Sequence, residues 1–122
     1  MKAVLIVFLC FGQLLAQKNN ILITEIYADP TPSHGLPAFE YLEIYNNSPT
    51  AVYLKDYFLQ LDKSLVAFPD SVLLSNQYAI VCKKGNESDF AGYGKTIPLP
   101  VFSLLNTGQS LSILNAQKKT IF

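Results

Sequence analysis

The sequence contains no arginine and no tryptophan, one histidine, His34, and two cysteines, Cys10 and Cys82. Each shortage closes a class of function. Without arginine there is no forked guanidinium, the group best shaped for phosphates and guanine edges. Nine lysines face nine acidic residues, so the chain is close to neutral. The only adjacent lysines, Lys83-Lys84 and Lys118-Lys119, sit in turn-like stretches. A nucleic-acid partner is not expected. A serine triad would have to use His34, which stands in a proline-rich loop, and no Gly-x-Ser-x-Gly element accompanies it. A catalytic thiol would need the same histidine. Lys83-Lys84-Gly85 lacks both the upstream glycine and the hydroxyl residue of a phosphate-binding loop. No stretch after residue 17 carries ten residues of helical period, and no heptads occur. Neither enzymatic activity nor a cofactor is expected.

The cysteines also locate the chain. Lys2, the apolar run Ala3–Phe11 and Leu14-Leu15-Ala16 have the layout of a secretory signal peptide. The run is too short to span a bilayer, which takes about 20 apolar residues. Residues 1–16 are read as the signal, with cleavage near Ala16 leaving Gln17 first. Cys10 follows Leu9 rather than the small residue a lipoprotein signal places there. Cys82 then remains alone, without a disulfide partner, in the strand-like run Gln77–Cys82, where a lone cysteine behaves as a small buried hydrophobe. An export signal without disulfides suits a bacterial secreted or cell-envelope protein. Contact with a membrane is expected only during export.

The rest of the chain, 17–122, reads as one domain. Two strand-like runs, Ile21–Ala28 and Phe39–Tyr45, flank the loop Asp29–Pro37, which holds three prolines, Gly35 and His34. Proline lacks an N–H and fixes φ, so the loop separates two strands. Short runs then alternate with turns: Ala51–Leu54, Tyr57–Leu61, Leu65–Phe68, Val72–Leu74 and Gln77–Cys82. A less regular region follows from Lys84, with Gly92, Gly94, Pro98 and Pro100. Val101–Leu105, Ser110–Leu114 and Lys119–Phe122 close the chain. Strands of four to eight residues with turn chemistry between them predict an all-β sandwich, mostly antiparallel. Period-two patterning places Leu22 or Ile23, Ile26, Leu42, Ile44, Leu54, Leu59, Ile80, Leu111 and Ile113 in the core.

Candidate sites are few. Glu25, Asp29, Glu40 and Glu43 cluster near the first two strands, with His34 in the loop. Calcium takes about six to eight oxygen ligands, but Glu40 and Glu43 are three residues apart and point to opposite faces unless a bulge intervenes. No metal site is expected, and no cleft is expected for a glycosidase pair. Tyr27, Tyr41, Tyr45, Tyr53 and Tyr57 are more suggestive. If Leu42 and Ile44 face inward, Tyr41 and Tyr45 lie on the outer face, where aromatics can anchor a protein or a sugar ring. A stiff loop beside them lowers the ordering cost of binding. The expected contact residues are Asp29, His34, Tyr41 and Tyr45, and the expected partner is a protein or glycan. Asn46-Asn47-Ser48 and Asn86-Glu87-Ser88 fit the N-glycosylation sequon.

The order Ile23-Thr24-Glu25-Ile26, then Glu40-Tyr-Leu-Glu43-Ile-Tyr-Asn46, resembles the opening of the lamin tail domain. Val52-Tyr-Leu54-Lys-Asp-Tyr57-Phe-Leu59, Phe68-Pro69 through Tyr78-Ala-Ile80, and Ser103-Leu-Leu-Asn106-Thr-Gly108-Gln-Ser-Leu111-Ser-Ile113-Leu114 resemble its later elements in order. There are departures: Tyr57 stands where the aromatic is often larger, Gln109 follows Gly108, and Asn76-Gln77 precedes Tyr78. The resemblance implies an immunoglobulin-like β-sandwich and carries over no catalytic residue. Animal nuclear lamins place this domain behind a coiled-coil rod, and with no heptads here a nuclear role is not implied. Bacterial examples resemble secreted or surface accessory modules. The expected function is a non-catalytic interaction or structural module of an exported or cell-surface protein. The alternative is an accessory domain of a secreted hydrolase or nuclease encoded downstream. Because the chain stops at Phe122, within the last strand pairing that the resemblance implies, it is expected to be part of a longer multidomain protein.

Overall fold

A computed structural model of the chain describes residues 20–122; the export signal read over residues 1–16 lies outside them. Among the described residues the strands are β1 (Ile21–Tyr27), β2 (Tyr41–Asn46), β3 (Val52–Tyr53), β4 (Phe58–Leu61), β5 (Ser64–Ala67), β6 (Val72–Leu73), β7 (Tyr78–Lys83), β8 (Lys95–Leu99) and β9 (Leu111–Leu114). A 3-10 helix, Glu87–Tyr93, lies between β7 and β8. Each run read as a strand from the sequence contains one, except the two around the C-terminal turns. Val101–Leu105 forms no strand, yet it buries Phe102 and Leu104. Lys119–Phe122 contributes one bridge, from Thr120 to Leu114.

β8 was hidden in the irregular region because Pro98 argues against a strand. A proline is tolerated where its missing N–H faces no neighbour, on an edge strand. β8 is such an edge: the large sheet runs β1-β2-β7-β8. β8 pairs parallel with β7, while the other pairings are antiparallel. A parallel partner needs a crossover, and the 3-10 helix supplies it. Gly94 ends that helix at φ 119° and ψ −156°, a backbone region essentially reserved for glycine.

A three-stranded sheet, β5-β4-β9, and a two-stranded one, β3-β6, complete the architecture. One core joins all three sheets, with Leu42 and Ile44 of β2, Leu59 of β4, Leu73 of β6, Val81 of β7, Ile97 of β8 and Ile113 of β9 fully buried. This is the expected all-β sandwich. Leu42, Ile44, Leu54, Leu59 and Ile113 take their expected core places, with Ile23 and Leu111 packed against that core.

Two core expectations need correction. Ile26 is 56% exposed; it lies opposite Leu42, but on an edge strand where none of the described residues covers it. Ile80 is buried, though in a second cluster apart from the main core. Ile80 pairs with Glu43 of β2, and so shares the outward face of that strand. The meeting of β1 and β2 shapes the same face. Their register shifts between Ile23 and Glu25: a β-bulge at Thr24 reverses the alternation along β1. Without it, Glu25 and Tyr27 would share the inward face of Ile21 and Ile23. With it, Glu25 stands opposite Glu43 and Tyr27 opposite Tyr41, on the outward face.

Asn46, at the end of β2, is fully buried. Its Nδ2 donates to the carbonyls of Thr50, 2.8 Å, and Leu73, 2.9 Å. Its Oδ1 accepts from Ser48 N and Oγ. Both halves of the amide are satisfied, as a buried polar group requires. The first sequon therefore presents no free asparagine nitrogen for a glycan.

Candidate functional site

The outer face of the β1-β2-β7-β8 sheet is itself partly covered. Tyr41, Ile80, Cys82 and Phe90 form the second apolar cluster, with Tyr27 and Leu36 packed against it. Alternation along β2 and β7 puts Tyr41, Glu43, Ile80 and Cys82 on this face. Phe90 descends onto it from the 3-10 helix, edge-on to Tyr41 at 5.5 Å. Leu36 comes from the proline-rich loop, and the Tyr93 hydroxyl donates to the Gly35 carbonyl at 3.4 Å. Helix and loop thus close over one half of the sheet.

An open cavity of about 160 Å³ lies between this cover and the strands. Its walls are Leu36 and Pro37 of the loop, Phe90 and Tyr93 of the helix, and Tyr41 and Ile80 of the sheet. Glu25 and Glu43 also line it. No cleft was expected from the sequence; the bulge and the 3-10 cover create one. Each carboxylate uses one oxygen locally. Glu25 Oε1 accepts from the Tyr41 hydroxyl at 2.7 Å, and Glu43 Oε1 accepts from Thr24 Oγ1 at 2.7 Å.

Burial, then the hydrogen bond to Glu25 and the charges of Glu25 and Glu43, hold the Tyr41 phenol well above its usual range. Cys82, opposite Tyr41 in the ladder, is pushed up from 9.0 to about 11 by burial first, then by Glu87 and Asp89. A thiol held protonated is not a nucleophile, so Cys82 is the small buried hydrophobe expected. Tyr27 stacks on Tyr41 at 5.1 Å, and its buried hydroxyl has no hydrogen-bond partner among the described residues.

Of the four contact residues expected from the sequence, only Tyr41 lines the cavity, and it is buried, at 5% exposure. It does occupy the outer face, but the 3-10 helix covers it, so Tyr41 is structural support and not an exposed anchor. Tyr45 is half-buried; its ring lies 4.5 Å from Tyr78 and its hydroxyl donates to Asn76 Oδ1 at 2.9 Å. Asp29 Oδ1 accepts from the Thr31 amide, a local turn bond. His34 is exposed, and neither it nor Asp29 reaches the cavity. Glu40 and Glu43 part company as their spacing requires: Glu40 Oε2 accepts from the Leu104 amide at 2.9 Å. Among the described residues, no group of three or more His, Cys, Asp or Glu is placed to hold a metal ion.

Sequence reasoning missed Glu25 facing Glu43, Phe90, and the exposed tyrosines 78 and 93. Tyr78 carried a usable signal, since it shares parity with Ile80 on β7. Phe90 carried none, because a single apolar residue in a short 3-10 turn leaves no period to detect.

Packed sheets with their apolar faces inward and a decorated outer face define an immunoglobulin-like β-sandwich domain. The Lamin Tail Domain family model matches residues 15–121, and the chain belongs to that family. A comparison with curated proteins finds no match.

Proposed function

We propose that this chain is a non-catalytic interaction module of an exported or cell-surface protein, and that it meets its partner on the outer face of the β1-β2-β7-β8 sheet. The observation that carries the reading is the aromatic surface left open there. Tyr78, 52% exposed, pairs with Tyr45, and Tyr93, also 52% exposed, stands at the cavity mouth. Tyrosines with one face packed and one open are favoured anchors, because little side-chain entropy remains to be lost. The thiol of Cys82, buried and held protonated, supports a non-catalytic role.

A photocrosslinking amino acid placed at Tyr78 or Tyr93, with Tyr53 on β3 as the control, tests the surface in the native host. Crosslinks from 78 and 93 and none from 53 are expected. Crosslinks from 53 alone would put the contact elsewhere. The export half of the proposal rests on Lys2, the apolar run and Ala16. Mass spectrometry of the protein from envelope or medium is expected to find Gln17 as the first residue; an intact Met1 in the cytoplasm contradicts it.

A further inference from the structure

We infer that the cavity between β1, β2 and the 3-10 helix is a receptor for one lysine side chain of a partner protein, with Glu25 and Glu43 receiving its ammonium. The inference rests on the outer face being the contact surface, and it names what enters there.

Size comes first. Small-molecule pockets occupy roughly 300–1,000 Å³, whereas this cavity is about 160 Å³. It suits one side chain. Charge comes second. Among the described residues, two carboxylates and no cation line the cavity. They stand at directly opposed positions, where like charges repel. An incoming cation relieves that repulsion and is held by both. The lining around the acids is aromatic and aliphatic: Tyr93, Phe90, Leu36 and Ile80. Ring faces attract organic cations, and aliphatic walls cover the methylene stem that carries a lysine charge.

The hydrogen bonds decide between cations. Glu25 and Glu43 each use Oε1 locally, with Tyr41 and with Thr24; among the described residues the second oxygen of each takes no hydrogen bond. A guanidinium favours both oxygens of one carboxylate. A compact ammonium, with three donors around a point charge, bridges single oxygens from two. Calcium needs about six to eight oxygens, more than this lining offers.

Proton–nitrogen correlation spectra of the isotope-labelled protein, titrated with n-butylammonium as the side-chain probe, test the proposal. Saturable shifts are expected at the amides of Glu43, Tyr41, Ile80, Phe90 and Tyr93, with Kd on the order of millimolar for so small a probe. The Glu25→Gln/Glu43→Gln variant keeps an acceptor oxygen for each existing hydrogen bond, and its own spectrum reports its fold. It is expected to bind about tenfold more weakly, as two exposed charge contacts allow. On the parent protein, n-butylguanidinium is expected to bind more weakly than n-butylammonium, and n-butanol not to saturate. Equal binding of n-butanol would make the cavity a merely apolar cleft and overturn the proposal. Displacement of the probe by calcium, tighter guanidinium binding, or an absence of shifts at these amides would also overturn it. The same shifts on raising protein concentration alone would give the site to a second copy of this chain and overturn the separate partner. Crosslinking from Tyr78 or Tyr93 without butylammonium binding would leave the contact surface standing and sink only the lysine.

Discussion

Cys82 and Tyr41 stand opposite each other on β7 and β2, and both keep their protons more tightly than usual. For each group the folded-state pKa lies above the unfolded one. The neutral forms therefore stabilise the fold, and that contribution is intact below the unfolded values. As pH rises past 9.0 the unfolded thiol ionises first, and the Cys82 contribution fades until about 11, where the folded thiol also ionises. Tyr41 acts in the same direction from 10.0 upward. Melting temperature is therefore expected to fall between pH 9 and pH 11. In Cys82→Ala the fall is expected to be shallower over this window, though the variant starts lower because a fully buried side chain has been shortened. A parent melting temperature that is flat from pH 8 to pH 11 would contradict the coupling.

The elements that matter most for the site are the bulge in β1 and the 3-10 helix. Phe90 is the one fully buried side chain of that helix, and it is the helix's contribution to the second cluster. Phe90→Ala is expected to cost about 3–5 kcal/mol if the cluster cannot collapse. It is also expected to raise amide hydrogen exchange across Glu87–Tyr93 while leaving β4 and β9 protected. Exchange unchanged in the helix would show that other contacts hold it. These two elements also mark where the sequence stops being legible. β2, β4 and β9 were readable because Leu42, Ile44, Leu59 and Ile113 alternate with polar or aromatic neighbours along a single buried face. β8 was not, because Pro98 is a strand breaker everywhere but at an edge, and which strand is an edge is a property of the whole sheet. The bulge was not readable either: Thr24-Glu25 carries no glycine or proline to announce it, and only the pairing partner reveals the shifted register. So Tyr41 and Tyr45 were placed on the correct face, while the cover over Tyr41 and the facing glutamates came from contacts distant in sequence.

At the scale of the molecule, the sandwich keeps two kinds of surface on one sheet. The inner face belongs to the core shared by all three sheets. The outer face is divided between a covered aromatic cluster and an open strip with Tyr45, Tyr78 and the two glutamates. Glu25 and Glu43 each accept one hydrogen bond within the fold, yet as like charges directly opposed on two strands they repel each other. On the proposal above, Glu25 and Glu43 are kept for contact with a partner. The most direct test is the melting temperature of the Glu25→Gln/Glu43→Gln variant against the parent at neutral pH and low ionic strength. A rise of about 1–5 °C is expected for a domain of this size, shrinking as added salt screens the pair. A fall of several degrees would mean that the two carboxylates hold the fold together, and would contradict their assignment to a binding site.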